Sequence, residues 1–200
     1  MSAKLTIRIP EWLDRLCTWP VMLYRRRKFG YDFRRIDLGE GRWTILDAED
    51  YYRLNDFKWS IGGTGNKFYA VRGTKTGTER AKIVSLHREI MKPPAGLLVD
   101  HRNGISLDNR RENLRLATHS QNQFNKAKTC SKTSSRYIGV YFEKCSGLWV
   151  VQIKHRAKRM FLGRFDSEID AAKVYDEVAR KYRGEFARLN FPDGAPVSCV

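Results

Sequence analysis

Apolar and polar positions alternate in short blocks along this chain, and the period of the alternation changes from block to block. Trp43 to Leu46 and Phe68 to Val71 read as strands, and Asp47 with Asp50 three residues on predicts a capped helix running to Leu54. A basic hairpin is expected next, turning through Gly73 to Thr78 and returning over Ile83 to Leu86. Leu97, Leu98 and Val99 form a β-prone run that leads straight into Asp100 and His101. A Gly-, Asn- and Asp-rich loop from Arg102 to Asn113 follows, then a short strand at Leu114 to Ala117. Thr118 with Gln121 has the spacing of a capping box, which opens a helix carrying Asn122.

From Lys126 to Arg136 the pattern lapses into small, polar and basic residues, as in a flexible linker. Period-two alternation returns afterwards. Tyr137 to Phe142, Trp149 to Lys154 and Met160 to Phe165 read as three strands, with Ser146-Gly147 as a turn. In the middle strand Trp149, Val151 and Ile153 share one face while Gln152 and Lys154 share the other. Ser167 caps a helix whose stripe of Ala171, Tyr175, Val178 and Tyr182 packs on the sheet, and Gly184 ends it. The exposed face of the sheet then carries Gln152, Lys154, Arg159, Phe161 and Arg164, a basic and aromatic surface suited to a nucleic-acid groove.

The fold class expected is therefore α+β, in two units. The expected division is a basic N-terminal arm over 1–30, a first domain over 31–126 with its motif at 87–125, a linker over 127–135, a second domain over 136–192 and a tail over 193–200. Composition narrows the function. Thirty-eight Lys and Arg against twenty-two Asp and Glu give a formal charge of +16, which favours a polyanionic partner. Residues 1–130 hold 25 basic and 14 acidic side chains and residues 131–192 hold 13 and 7, so both units are cationic. Nucleic acid is the leading candidate for that partner, with oligomeric state open.

Cys17, Cys130, Cys145 and Cys199 form no C-x-x-C pair, which disfavours a zinc knuckle or a disulfide framework and fits a reducing, cytoplasmic setting. No run approaches the length of a membrane span, and the N-terminus lacks the apolar centre of a signal peptide. Trp19 to Leu23, followed by Arg25, Arg26, Arg27 and Lys28, reads as an arm that folds onto DNA or onto the domain rather than onto a membrane surface.

The run from Val99 to Asn122 proposes a chemistry. Phosphodiester hydrolysis needs a group that takes a proton from water near neutral pH, and His101 is the candidate base. A divalent cation stabilises the charge that develops on phosphate and leaving oxygen, and Asp100 and Asn122 offer hard oxygen ligands for Mg²⁺. Asn113, at the end of the loop, is placed to clamp that loop against the His101 strand. His87, in an apolar stretch, reads as a packed structural histidine.

On Asp100-His101, the loop from Asn103 to Asn109, Glu112 to Arg115 and Gln121-Asn122, together with His87 to Met91 upstream, the chain resembles the HNH endonucleases of the ββα-metal type found in phage and intron-borne nicking enzymes. The resemblance implies His101 as general base, Asp100 and Asn122 as metal ligands and Asn113 as the structural asparagine. Asn122 stands where the family more often has His, which favours Mg²⁺ or Mn²⁺ over zinc. Arg115, on the strand facing the site, is a candidate to hold the scissile phosphate. A phage-like or bacterium-like, nucleoid-associated setting accompanies this reading.

Tyr137 to Val140, Gly147 to Lys154, Phe161 to Phe165, Ala171-Ala172 with Tyr175-Asp176, and Leu189 to Pro192 resemble the APETALA2 and ethylene-response-factor domain. That resemblance implies a three-stranded antiparallel sheet on one helix, inserted in the major groove, with Tyr141, Gln152, Lys154, Arg159, Phe161 and Arg164 facing DNA. Ile138 and Tyr141 stand where the plant regulators usually have arginines, so the site read here is expected to differ. The resulting expectation is a homing-type nicking endonuclease addressed by its C-terminal sheet. A non-catalytic DNA-binding protein or transcription regulator that keeps the nuclease scaffold is the competing reading, and an RNA-directed factor is the third.

Overall fold

The computed structural model describes residues 10–63, 67–74, 82–125, 134–155 and 158–192. The chain forms two compact units, one built from Met1–Pro94 with Ile105–Arg115 and the other from Ala95–Gly104 with Leu116–Val200. Each is a mixture of helices and small sheets, as the α+β expectation has it.

The first unit begins with α1 (Glu11–Phe29), which continues through Pro20 although that residue has no N–H to donate to the preceding turn. Gly30, at φ 82°, ends it in the left-handed region. The helix is held to its own unit by polar contacts. Arg34 donates to Asp14 at 2.6 Å and to Thr18 at 2.7 Å, and the Tyr52 hydroxyl donates to Asp14 at 2.7 Å.

Strands β1 (Arg34–Gly39) and β2 (Arg42–Leu46) form an antiparallel hairpin, and β1 alternates buried and exposed residues along its length. That alternation sends Ile36 and Leu38 into the core with Phe33, Leu46, Leu54, Trp59, Ala70, Leu86 and Ile90. A second sheet has β4 (Tyr69–Thr74) between β3 (Ser60–Gly62) and β5 (Lys82–Ser85). Helix α3 starts at Leu86, so the strand expected to return through that residue stops at Ser85. Part of the expected hairpin turn, residues 75–78, lies outside the described residues.

Helix α2 (Ala48–Leu54) forms where expected, but Asp47 does not cap it. The Asp47 carboxylate instead accepts from the Arg111 backbone N–H at 2.7 Å. Asp50, 1% exposed, takes both ends of the Arg111 guanidinium at 2.7 and 2.8 Å and also the Arg53 guanidinium. These acids hold the loop segment 105–113, so competition from Arg111 displaced the local cap. The same segment lies against β2. Ile45 N–H donates to Leu107 O at 3.0 Å, Asn109 N–H donates to Ile45 O at 2.8 Å, and Asn109 Nδ2 donates to Thr44 at 2.7 Å.

Strand β6 (Leu98–His101) lies in the second unit, and β7 (Leu114–Ala117) begins in the first at Leu114 and Arg115 and runs on into the second, where Thr118 leads into α4 (His119–Phe124). Three antiparallel strands follow, β8 (Val140–Glu143), β9 (Leu148–His155) and β10 (Lys158–Phe165), with β9 in the middle. One long helix, α5 (Glu168–Arg183), lies on this sheet and ends in a 3-10 turn at Gly184–Phe186. The core between them holds Val140, Val151, Ile153, Ala171, Ala172, Tyr175 and Ala179. The chain can approach Tyr175 only because residue 139 is glycine: a Cβ there would lie 2.1 Å from the Tyr175 ring.

The stripe expected on α5 shifts. Ala172, Asp176 and Ala179 join Ala171 and Tyr175 as buried residues, while Tyr182 is 39% exposed and lies 4.7 Å from the His155 ring. Small alanines let the helix sit close to the sheet, which rotates the buried arc away from Tyr182. Buried Asp176 accepts from the Asn190 and Phe191 backbone N–H groups at 2.8 Å each, and Asn190 Oδ1 accepts from Ile138 N–H at 2.7 Å. This fastens the C-terminal segment to the start of the sheet.

Candidate functional site

Asp100 and His101 close β6, and both are buried, at 6% and 7% exposure. Two successive strand residues normally face opposite sides. Here the chain turns at His101, whose carbonyl accepts from Gly104 N–H at 2.9 Å across a glycine at φ 74°. Helix α4 packs on β6 and opens with the expected capping box: Thr118 Oγ1 accepts from Gln121 N–H at 3.3 Å, and Gln121 Oε1 accepts from Thr118 N–H at 2.8 Å. Asn122 sits half-buried on this helix.

The residue that binds the pieces together is Asn125, which the sequence reading passed over. Its Nδ2 lies 3.1 Å from each Asp100 carboxylate oxygen and 2.7 Å from the His101 carbonyl, to which it donates. Asn125 is 9% exposed, and its own carbonyl accepts from Arg188 at 3.4 Å. The available signal was the three-residue step from Asn122 to Asn125, which puts both amides on one side of a helical turn.

Asn113 and Arg115 belong to the other compact unit. Asn113 is buried and its Nδ2 donates to the Asp108 carbonyl at 2.7 Å, closing the loop five residues back. Asp108 in turn takes the Arg110 guanidinium at 2.9 and 2.8 Å, and that guanidinium lies 3.3 Å from the Tyr31 ring centre. Burial opposes the charge of Arg110, but the hydrogen bonds and charge of Asp108 outweigh it and hold the group above its ordinary value. Arg115 is 6% exposed on β7. His87 is half-buried, with its ring 5.4 Å from Tyr69, in keeping with a packing role.

On the three-stranded sheet Tyr141, Lys154, Arg159, Phe161 and Arg164 are exposed and Gln152 is half-buried. Arg159 faces Lys154 and Phe161 faces Gln152 across the strands, and Gln152 donates to the Tyr141 hydroxyl at 3.0 Å. Register shifts between Phe161 and Gly163, a bulge that twists the strand locally. Arg164 is engaged by Glu143 at 2.8 and 3.3 Å. Hydrogen bonds from Arg164 and Ser146 hold the Glu143 carboxyl below its usual range. Ile138 faces inward and packs against the core.

A short buried strand ending in Asp-His, a capped helix bearing an amide and a basic three-stranded sheet on one helix define two modules. The sequence model described as HNH endonuclease matches residues 92–124, and that described as AP2 domain matches residues 135–185. Across most of its length the chain is 31% identical to a protein of Acanthamoeba polyphaga mimivirus described as an uncharacterized HNH endonuclease, over 79% of this chain and 80% of the relative. The chain belongs to the HNH endonuclease family. Its C-terminal part is 44% identical over 69 residues to an AP2/ERF and B3 domain-containing protein of Oryza sativa subsp. japonica, and 43% identical over 61 residues to an AP2-like ethylene-responsive transcription factor of Arabidopsis thaliana. These alignments take in 34% and 30% of this chain and 19% and 13% of the plant proteins. No solved structure matches the chain. No helix among the described residues is long and apolar enough to cross a membrane.

Proposed function

We propose that this protein is a metal-dependent DNA endonuclease of the homing type, nicking one strand per visit, with a ββα-metal core and a sheet domain that positions it on double-stranded DNA. The observation that carries the reading is the pair of buried side chains Asp100 and His101, tied by Asn125 to the end of the helix that bears Asn122.

The donor set fits a hard divalent cation. Asp100 and Asn122 offer a carboxylate and an amide oxygen, hard donors of the kind such a cation takes. Mg²⁺ or Mn²⁺ takes few protein ligands and completes its shell with water and phosphate, so the pair suffices. Bound there, the cation supplies charge neutralisation at the phosphate and the leaving oxygen.

The chain's own residues supply the rest. His101 takes the proton from the attacking water through an imidazole nitrogen, while the turn closed by Gly104 and Asn125 fixes its backbone. Asn125 keeps the Asp100 carboxylate oriented. Asn113 braces the loop, and Arg115 is assigned to the scissile phosphate. Tyr141, Gln152, Lys154, Arg159, Phe161 and Arg164 present amide, aromatic and cationic groups to the groove from one sheet face.

A supercoiled plasmid tests the reading. With Mg²⁺ or Mn²⁺ the wild type converts it to open circles, and chelation stops the conversion. His101→Ala and Asn122→Ala lose roughly 100-fold or more of the rate while still shifting DNA, as expected for loss of a general base and of a ligand. A wild type that shifts DNA but leaves plasmid intact with both ions sinks the enzyme reading in favour of a DNA-binding regulator.

A further inference from the structure

Helix α1 is amphipathic in an inverted sense. The side facing its own unit is anchored by polar groups, Asp14, Thr18 and Arg25 being joined to Arg34, Tyr52 and the Phe33 carbonyl, with Met22 half-buried among them. Large apolar residues point outward. Trp12, Leu16, Trp19 and Leu23 are 68%, 68%, 65% and 43% exposed. Their spacing of four, three and four confines them to about 60° of the helix circumference. A seam that narrow is what a partner helix requires, whereas a helix buried in a globular core shows a wider stripe.

We propose that this seam is the interface with a second copy of the chain, packed antiparallel about a twofold axis. The spacing reads the same in both directions, so an antiparallel partner sets Trp12 against Leu23 and Leu16 against Trp19 twice over. Charge selects the same orientation. The first turn carries Glu11 and Asp14 and the last carries Arg26, Arg27 and Lys28. Antiparallel packing places Glu11 of one copy beside Arg26 of the other, and parallel packing would stack the basic ends together. Helix dipoles also oppose favourably in the antiparallel pair. Four indoles, two from each copy and each about two thirds exposed, can bury roughly 400–700 Å², to which Leu16 and Leu23 of both copies add on the way to the ~1,000 Å² at which specific interfaces begin.

Sedimentation of the full chain, without DNA, tests this. The wild type runs at twice the chain mass, and Trp12→Ser with Trp19→Ser runs at the single-chain mass with an unchanged circular dichroism spectrum, since both indoles are exposed. Leu16→Glu provides an independent disruption of the seam. Glu11→Arg weakens self-association about tenfold through two lost and repelling pairs, and adding Arg26→Glu restores it. A wild type that remains single up to roughly 100 μM, a dimer that survives the seam variants, or a charge swap that fails to restore association overturns the proposal. Loss of DNA or lipid binding by the seam variants without any change in mass overturns it in favour of those occupants.

Discussion

The amide of Asn125 divides two hydrogens among the Asp100 carboxylate, the His101 carbonyl and the more distant Arg102 carbonyl at 3.5 Å. In the proposed mechanism, a partner that orients the Asp100 ligand and the His101 base without reacting is expected to matter by 10–100-fold. Asn125→Ala should lower the nicking rate by about that factor while DNA affinity, measured by gel shift, stays within about threefold. Asp108 carries a different load. Arg110 is 10% exposed at its side chain and Asp108 is 5% exposed, so Asp108→Ala leaves a buried cation and should cost about 3–5 kcal/mol in urea denaturation. The sequence singles out Asp100, His101, Asn113 and Asn122 as candidates because their chemistry and spacing stand alone. Asn125, Asp108 and Arg110 were not, because their roles exist only through groups that folding brings alongside.

Elements read most clearly where one period governs them. β9 alternates from Val151 to Lys154, although Val150 is buried as well, and α4 opens on its capping box. Long-range competition blurred the others: Asp47 abandoned its helix for Arg111, and the loop at 105–113 gained order by lying along β2. Helix α1 escaped a simple reading for the opposite reason, since its apolar residues face outward and its anchoring groups are polar. On α5, burial raises the Tyr175 hydroxyl above its ordinary value, against the pull of Arg183 in the other direction. Folding therefore favours the protonated phenol. Its contribution is complete below about pH 10, the unfolded value, and is lost as pH rises through the folded one. Tyr175→Phe should flatten the alkaline fall in thermal stability, followed together with tyrosinate absorbance.

At the scale of the whole molecule, a charge of +16 spread over both halves implies binding that weakens steeply with salt. Arg164, one of the groups proposed to face the groove, is paired with Glu143 in the free protein. Glu143→Gln should free it to contact phosphate and steepen the slope of log affinity against log salt by about 0.9. Within the second unit Arg102 pairs with Glu185 at 2.6 Å, joining the two matched regions, and just beyond them Arg188 reaches the Asn125 carbonyl. Deleting 136–192 should thus slow nicking as well as scatter its positions, which mapping of cut ends on a random library would separate.

The contact at Gly139 gives these links a thermal handle. A methyl group placed there must push back the Tyr175 ring or the Gln152 carbonyl, which a Cβ would meet at 2.8 Å, and the backbone at φ 75° resists any larger side chain. The helix would then ride away from the sheet that bears the DNA-facing residues, and the strain would fall on address before it fell on chemistry. In the proposed enzyme Gly139→Ala is therefore expected to act as a conditional variant, whose cut positions on a random library scatter on warming before its nicking rate falls.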